Sequence, residues 1–131
     1  MALTDIFCQD KAIAKLQRAY AAGRMAHAYL FEGDDGVGKA ATARAWARML
    51  LCENKQTICE EPPFVDSCGT CPACRTFDAG GHPDFRPVYK ELIKFTEKGK
   101  SRTTPVDMPI DVIRDFLIDK VATRPTMGEY V

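Results

Sequence analysis

The stretch Gly33-Asp34-Asp35-Gly36-Val37-Gly38-Lys39-Ala40 constrains the fold of this 131-residue chain more than any other feature. It meets every position of G-x-x-x-x-G-K-[ST] except the last. Such a loop cradles phosphate with inward-facing backbone N–H groups. Glycines let the backbone approach closely, and the lysine reaches the outer phosphates. The flanks agree with this reading. Ala28-Tyr29-Leu30-Phe31 is a short apolar run that suits a buried parallel strand. Gly38 to Leu51 has helical spacing, with Ala43, Trp46, Ala47 and Leu50 on one face. The bland alternative is a glycine-rich strand-to-helix turn with a stray lysine.

Gly33, Gly36, Gly38 and Lys39 are therefore candidate phosphate-binding residues in a degenerate loop. Ala40 stands where a hydroxyl would hold Mg²⁺. Thr42 cannot replace it, because two residues along a helix is about 200° of rotation. Asp34 and Asp35 also repel a triphosphate, by roughly 1 kcal/mol per pair in water-like screening. Hydrolysis is not expected of this chain, no catalytic residue is assigned, and nucleotide is expected to bind poorly.

The six cysteines are unevenly placed. Cys59, Cys68, Cys71 and Cys74 crowd into sixteen residues, spaced C-x8-C-x2-C-x2-C. Four thiolates at about 2.3 Å complete tetrahedral Zn²⁺ and leave no position for water, so the expected role is structural. Iron–sulfur ligation competes: Cys68, Cys71 and Cys74 match three ferredoxin-type ligands, but Asp78 falls where the fourth belongs. A redox or disulfide role is a further alternative. His82 is a possible substitute ligand, though its place is better explained by the turn Gly81-His82-Pro83-Asp84. Cys8 and Cys52 read as buried small hydrophobes, Trp46 as core, and His27 as part of a connector.

Elsewhere, Ile13, Leu16 and Tyr20 predict a helix from Gln9 to Ala22, stopped by Gly23. Residues 52 to 63 break the pattern. A short helix is expected at Cys71–Ala79 and a short strand at Asp84–Tyr89. Lys90 to Arg102, with net charge +3, reads as an exposed loop. Ile110, Ile113, Leu117 and Val121 predict the apolar face of a last helix begun by Pro109. Composition is 46% hydrophobic and 27% charged, which fits a single soluble globular domain. Lys plus Arg equals Asp plus Glu at 18, which excludes a global basic field for gripping nucleic acid. No apolar run is long enough to span a membrane, and no secretory leader is visible, so a cytoplasmic location is expected.

The chain resembles bacterial DNA polymerase III clamp-loader subunits of the AAA+ superfamily. The resemblance rests on Gly23-Arg24-Met25-Ala26-His27-Ala28-Tyr29-Leu30-Phe31, the glycine loop, Leu50-Leu51-Cys52-Glu53, the cysteine run and Gly81-His82-Pro83-Asp84. It implies a P-loop NTPase fold, an α/β/α three-layer domain on a parallel sheet, with a zinc-binding cysteine module inserted at 52–80. Ala40 and the His82-Pro83-Asp84 turn favour the delta prime branch, which acts as a non-catalytic partner, over the gamma/tau motor branch. The implied partners are gamma/tau and delta, and through the assembled loader the sliding clamp and primed DNA. The same resemblance implies an incomplete N-terminal part of the domain over 1–131, with a third strand beginning near Gly128-Glu129-Tyr130. Strand 28–32 would then have bare edges and invite self-association. The alternatives are a truncated ATPase motor subunit of the same loader, a small P-loop kinase, or a zinc-dependent nucleic-acid binder.

Overall fold

The computed structural model describes residues 1–96 and 107–130. The chain forms two compact units, Met1–Gly81 and His82–Val131. The first contains a 3₁₀ turn (Leu3–Asp5), helix α1 (Asp10–Ala21), helix α2 (Lys39–Leu51), strands β1 (Gln56–Cys59) and β2 (Phe64–Asp66), and helix α3 (Pro72–Asp78).

Helix α1 ends as its sequence predicts. Gly23 takes φ +63°, and the N–H groups of Gly23 and Arg24 close on the carbonyls of Tyr20 and Ala19. Its buried face, Ile13, Leu16 and Gln17, lies in the expected helical phase. Leu3, Leu16, Ala45, Trp46 and Met49 form the core, with Tyr20 set edge-on to Trp46 at 6.2 Å and 87°.

The ladder found among the described residues is the antiparallel hairpin β1–β2, which begins in the stretch where the helical pattern breaks and ends just after it. Polar side chains hold it to the rest of the unit. The Gln17 amide donates to the Val65 carbonyl at 2.7 Å and accepts from the Val65 N–H at 3.0 Å, pairing with β2 as a strand would. The Asp66 carboxylate accepts from the N–H groups of Leu3 and Thr4 at 3.2 and 3.0 Å, fixing the 3₁₀ turn.

Several expectations change. Residues 28–32 form no strand: Leu30 is 91% exposed, and Phe31 supplies the segment's contact with the core. Residues 84–89 form none either. An apolar run becomes a strand only where a neighbour completes its backbone hydrogen bonds, and the described residues offer neither segment one. Cys8 is exposed at φ +61°, not a core residue.

In the second unit a 3₁₀ helix (Lys90–Phe95) occupies the start of the expected loop, and Ile93 is buried in it. The rest of that loop, 97–102, lies outside the described residues. Helix α4 (Ile110–Ile113) widens to a π-helical turn (Arg114–Ile118) and tightens again into α5 (Asp119–Val121). The predicted face packs inward only at Ile113, which is half-buried. Val112 is fully buried, whereas Ile110, Leu117 and Val121 are exposed. No strand forms at 128–130. There the backbone folds onto Asp84, whose carboxylate accepts from the N–H groups of Thr126, Met127 and Gly128 at 2.6, 2.7 and 3.0 Å. The Asp84 N–H in turn donates to His82 Nδ1 at 3.2 Å, so the turn His82-Pro83-Asp84 anchors this segment.

Candidate metal centre and phosphate loop

Helix α2 links the two candidate sites. Lys39 is its first residue and Cys52 its C-cap, so one rigid rod of roughly 20 Å joins glycine loop to cysteines.

At the N-terminal end, Gly36 and Gly38 take φ +82° and +86°, values that side-chain-bearing residues rarely adopt. Gly38 caps the helix and its carbonyl accepts from the Thr42 N–H at 2.9 Å. Lys39 Nζ donates to the carbonyls of Gly33 and Asp34 at 2.6 and 2.7 Å, and lies 4.0 Å from the Asp35 carboxylate. The lysine thus closes the loop on itself. Ala40, the second residue of the helix, carries no hydroxyl. The Thr42 hydroxyl is buried and donates backward to the Gly38 carbonyl at 2.9 Å, away from any role as its substitute.

At the other end, the Sγ atoms of Cys52, Cys68, Cys71 and Cys74 all lie within 4.8 Å of one another. Cys52 Sγ is 3.6 Å from that of Cys68 and 3.9 Å from that of Cys71. A tetrahedron with metal–sulfur bonds of about 2.3 Å has edges of about 3.8 Å. The spacing fits a four-sulfur metal cage on its own geometry. Backbone N–H groups donate to sulfur, among them Cys68 to Cys52 at 3.3 Å, Cys71 to Cys68 at 3.3 Å, and Cys74 to Cys71 at 3.4 Å. The last makes Cys71 the N-cap of α3, with Pro72 in the first turn.

Electrostatics divides the four thiols. The N–H of Thr70, above all, holds Cys68 down to about 6. Burial works against ionisation of Cys71, but N–H donors from Cys74 and Glu53 outweigh it and hold its pKa below the usual thiol range. Burial pushes Cys52 and Cys74 up. A divalent cation would drive all four to thiolate.

Cys59 is not among them. It ends β1 opposite Phe64, is exposed, and turns its Sγ to the Glu61 carbonyl at 3.4 Å. The hairpin carries Cys59 outward, and Cys52, buried as expected, stands beside the other three sulfurs in its place. Local spacing hides this, because Cys52 and Cys68 stand sixteen positions apart. The available signal is Cys52's position directly after the last turn of α2. His82 is buried in the other unit, with Nδ1 engaged by Asp84.

A glycine loop opens one helix and a cluster of four cysteines gathers at its far end, in a mixed helix and strand fold with a small two-stranded sheet. Comparison with known proteins gives the family. The family described as "DNA polymerase III, delta subunit" matches residues 8–130, and the chain belongs to it. It is 45% identical to DNA polymerase III subunit delta' of Pseudomonas aeruginosa over 106 residues, 81% of this chain and 27% of the relative. It is 34% identical to subunit delta' of Escherichia coli over 114 residues, 87% of this chain and 28% of the relative. It is 30% identical to subunit tau of Salmonella typhimurium over 126 residues, 96% of this chain and 16% of the relative. The chain therefore spans under a third of the length of these relatives. No helix among the described residues is long and apolar enough to cross a membrane.

Proposed function

We propose that this chain serves DNA replication as part of a non-hydrolysing, delta prime-type subunit of the clamp loader. The observation that carries the reading is Ala40 at the start of α2, in a chain 45% identical to a delta' subunit. A loop that spends its lysine on its own carbonyls and lacks the magnesium hydroxyl is a rigid corner rather than a motor. Its partners are then gamma/tau and delta subunits, its fold belongs to a parallel α/β/α AAA+ domain, and it works in the cytoplasm on the clamp and primed DNA through the assembled loader.

In this reading Cys52, Cys68, Cys71 and Cys74 hold one structural zinc. The ion supplies a cross-link and, with four sulfurs around it, no open coordination position. The residues do the rest: Cys52 fixes the end of α2, Cys71 caps α3, and the intervening N–H groups orient the sulfurs.

The test combines this chain with gamma/tau-type and delta subunits. Co-elution of the three is expected, with ATP turnover changed less than about twofold by Lys39→Ala in this chain. Millimolar Mg·ATP should not raise the melting temperature of the chain itself. A ligand at a hundred times its Kd stabilises by ~2.7 kcal/mol, so real binding would show as a shift of several degrees. Such a shift, lost in Lys39→Ala, favours the motor reading that the tau similarity offers.

A further inference from the structure

We propose that Arg48 is the built-in counter-charge of the cysteine cage, a positioning residue that sets its metal affinity; the proposal rests on the metal reading of that site. Arg48 lies one helical turn before Cys52, on the same face of α2. It is 6% exposed, unusual for a cation in so small a unit. Its Nη1 donates to Ser67 Oγ at 2.6 Å, and its Nη2 to Asp78 Oδ2 at 2.7 Å.

These two partners bracket the cysteine loop. Ser67 immediately precedes Cys68, and Asp78 is the last residue of α3, the helix that carries Cys74. The loop also passes directly over the guanidinium. A Cβ on Gly69, which has φ +74°, would sit 3.5 Å from Nη2. Cys74 and Asp66 lie within electrostatic reach of the same group. One buried cation therefore ties the helix bearing Cys52 to both flanks of the segment bearing the other three sulfurs.

Charge explains why an arginine belongs there. Four thiolates on a divalent cation leave a net charge of −2. Taking that charge out of water is costly unless opposite charge stands nearby. Asp78 is half exposed and solvated on its outer side, and the buried Asp66 carboxylate is met by the N–H groups of Leu3, Thr4 and Ser67, so the buried guanidinium is left with positive field for the sulfurs. Outer partners of this kind change metal affinity by roughly 10- to 100-fold when removed.

Chelator competition for zinc on the reduced, full chain tests the role, with Trp46 fluorescence reporting that each variant is folded. Arg48→Met is expected to weaken zinc binding at least tenfold. Arg48→Lys, which keeps the charge and loses the fork, should recover most of that loss. Asp78→Asn removes a hydrogen-bonding anion but leaves the cation, so zinc should bind as tightly as before or more tightly. A purely structural clamp predicts the reverse for Asp78→Asn, a loss like that of Arg48→Met. The proposal is overturned by unchanged affinity in Arg48→Met, by Arg48→Lys no better than Arg48→Met, or by Asp78→Asn as weak as Arg48→Met. If Arg48→Met does not fold, Arg48→Gln, which keeps a hydrogen-bonding head and loses the charge, takes its place: a tenfold loss supports the counter-charge, and unchanged affinity overturns it. An unaltered chain that takes up no zinc overturns the metal reading as well, whereas zinc uptake insensitive to Arg48 overturns only the counter-charge.

Discussion

Cys52→Ser is expected to strip the protein of tight zinc binding, and Cys59→Ser to leave it intact. Both residues are cysteines near the same module, so sequence spacing alone would rank them the other way. Cys52 is 2% exposed, with two partner sulfurs at 3.6 and 3.9 Å. Cys59 is exposed and contacts a carbonyl of its own turn. Apparent binding energies of structural zinc run to ~10–16 kcal/mol, shared among four ligands. Losing one corner should therefore cost about 3 kcal/mol, or roughly a hundredfold in affinity. Because metal binds the folded cage and not the open chain, the loss also appears as a lowered melting temperature for Cys52→Ser in zinc-containing buffer. Metal retention measured by chelator competition on reduced protein, with both serine variants side by side, checks this. Equal retention by the two, or loss in Cys59→Ser, would return Cys59 to the site.

Asp84→Asn should destabilise the second unit by about 3 kcal/mol, and the deficit should vanish in acid. Asp84 is 4% exposed and its two oxygens accept three backbone N–H groups. Hydrogen bonds to a charged acceptor contribute ~1.5–3 kcal/mol each. An asparagine keeps one acceptor oxygen and turns an NH₂ group toward a donor. Burial works to raise the pKa of this carboxyl, but the N–H groups of Thr126, Met127 and Gly128, helped by His82, outweigh it and hold it below its ordinary range. The sign follows from linkage. Since the folded carboxyl releases its proton more readily than an unfolded one near ~3.9, its contribution is complete above that value. It fades as pH falls below ~3.9 and through the lower folded value. Urea melts of Asp84→Asn and the unaltered chain should differ at neutral pH and converge toward pH 2. Parallel curves across that range would mean that the carboxylate charge contributes nothing.

What was legible in the sequence was local. The turn at Gly36-Val37-Gly38-Lys39 needs left-handed backbone within a few residues, and only glycine supplies it cheaply, so loop and helix could be read together. Cys68, Cys71 and Cys74 were legible for the same reason, because two-residue spacers place their sulfurs in one turn. Cys52 was not, because the hairpin that returns the chain to it is held by contacts from far away, such as Gln17 on β2. The apolar runs at 28–31 and 84–89 look like strands, but their ladders depend on neighbours that no local pattern encodes. In the last helix the π-helical turn at Arg114–Ile118 inserts an extra residue into the repeat. That shift in phase turns Leu117 and Val121, which follow it, out to solvent; ahead of it Val112 is buried and Ile113 half-buried, while Ile110 in the first turn is exposed.

X-ray absorption at the zinc edge of the reduced, intact 131-residue chain tests the cage most directly. Four sulfur neighbours at about 2.3 Å, with no nitrogen or oxygen in the coordination shell, is the predicted result. That outcome fixes the site as closed and structural, and Cys52 as its fourth corner once Cys52→Ser is seen to replace one sulfur by a lighter atom. A shell containing water or histidine, or a spectrum unchanged in Cys52→Ser, would contradict it.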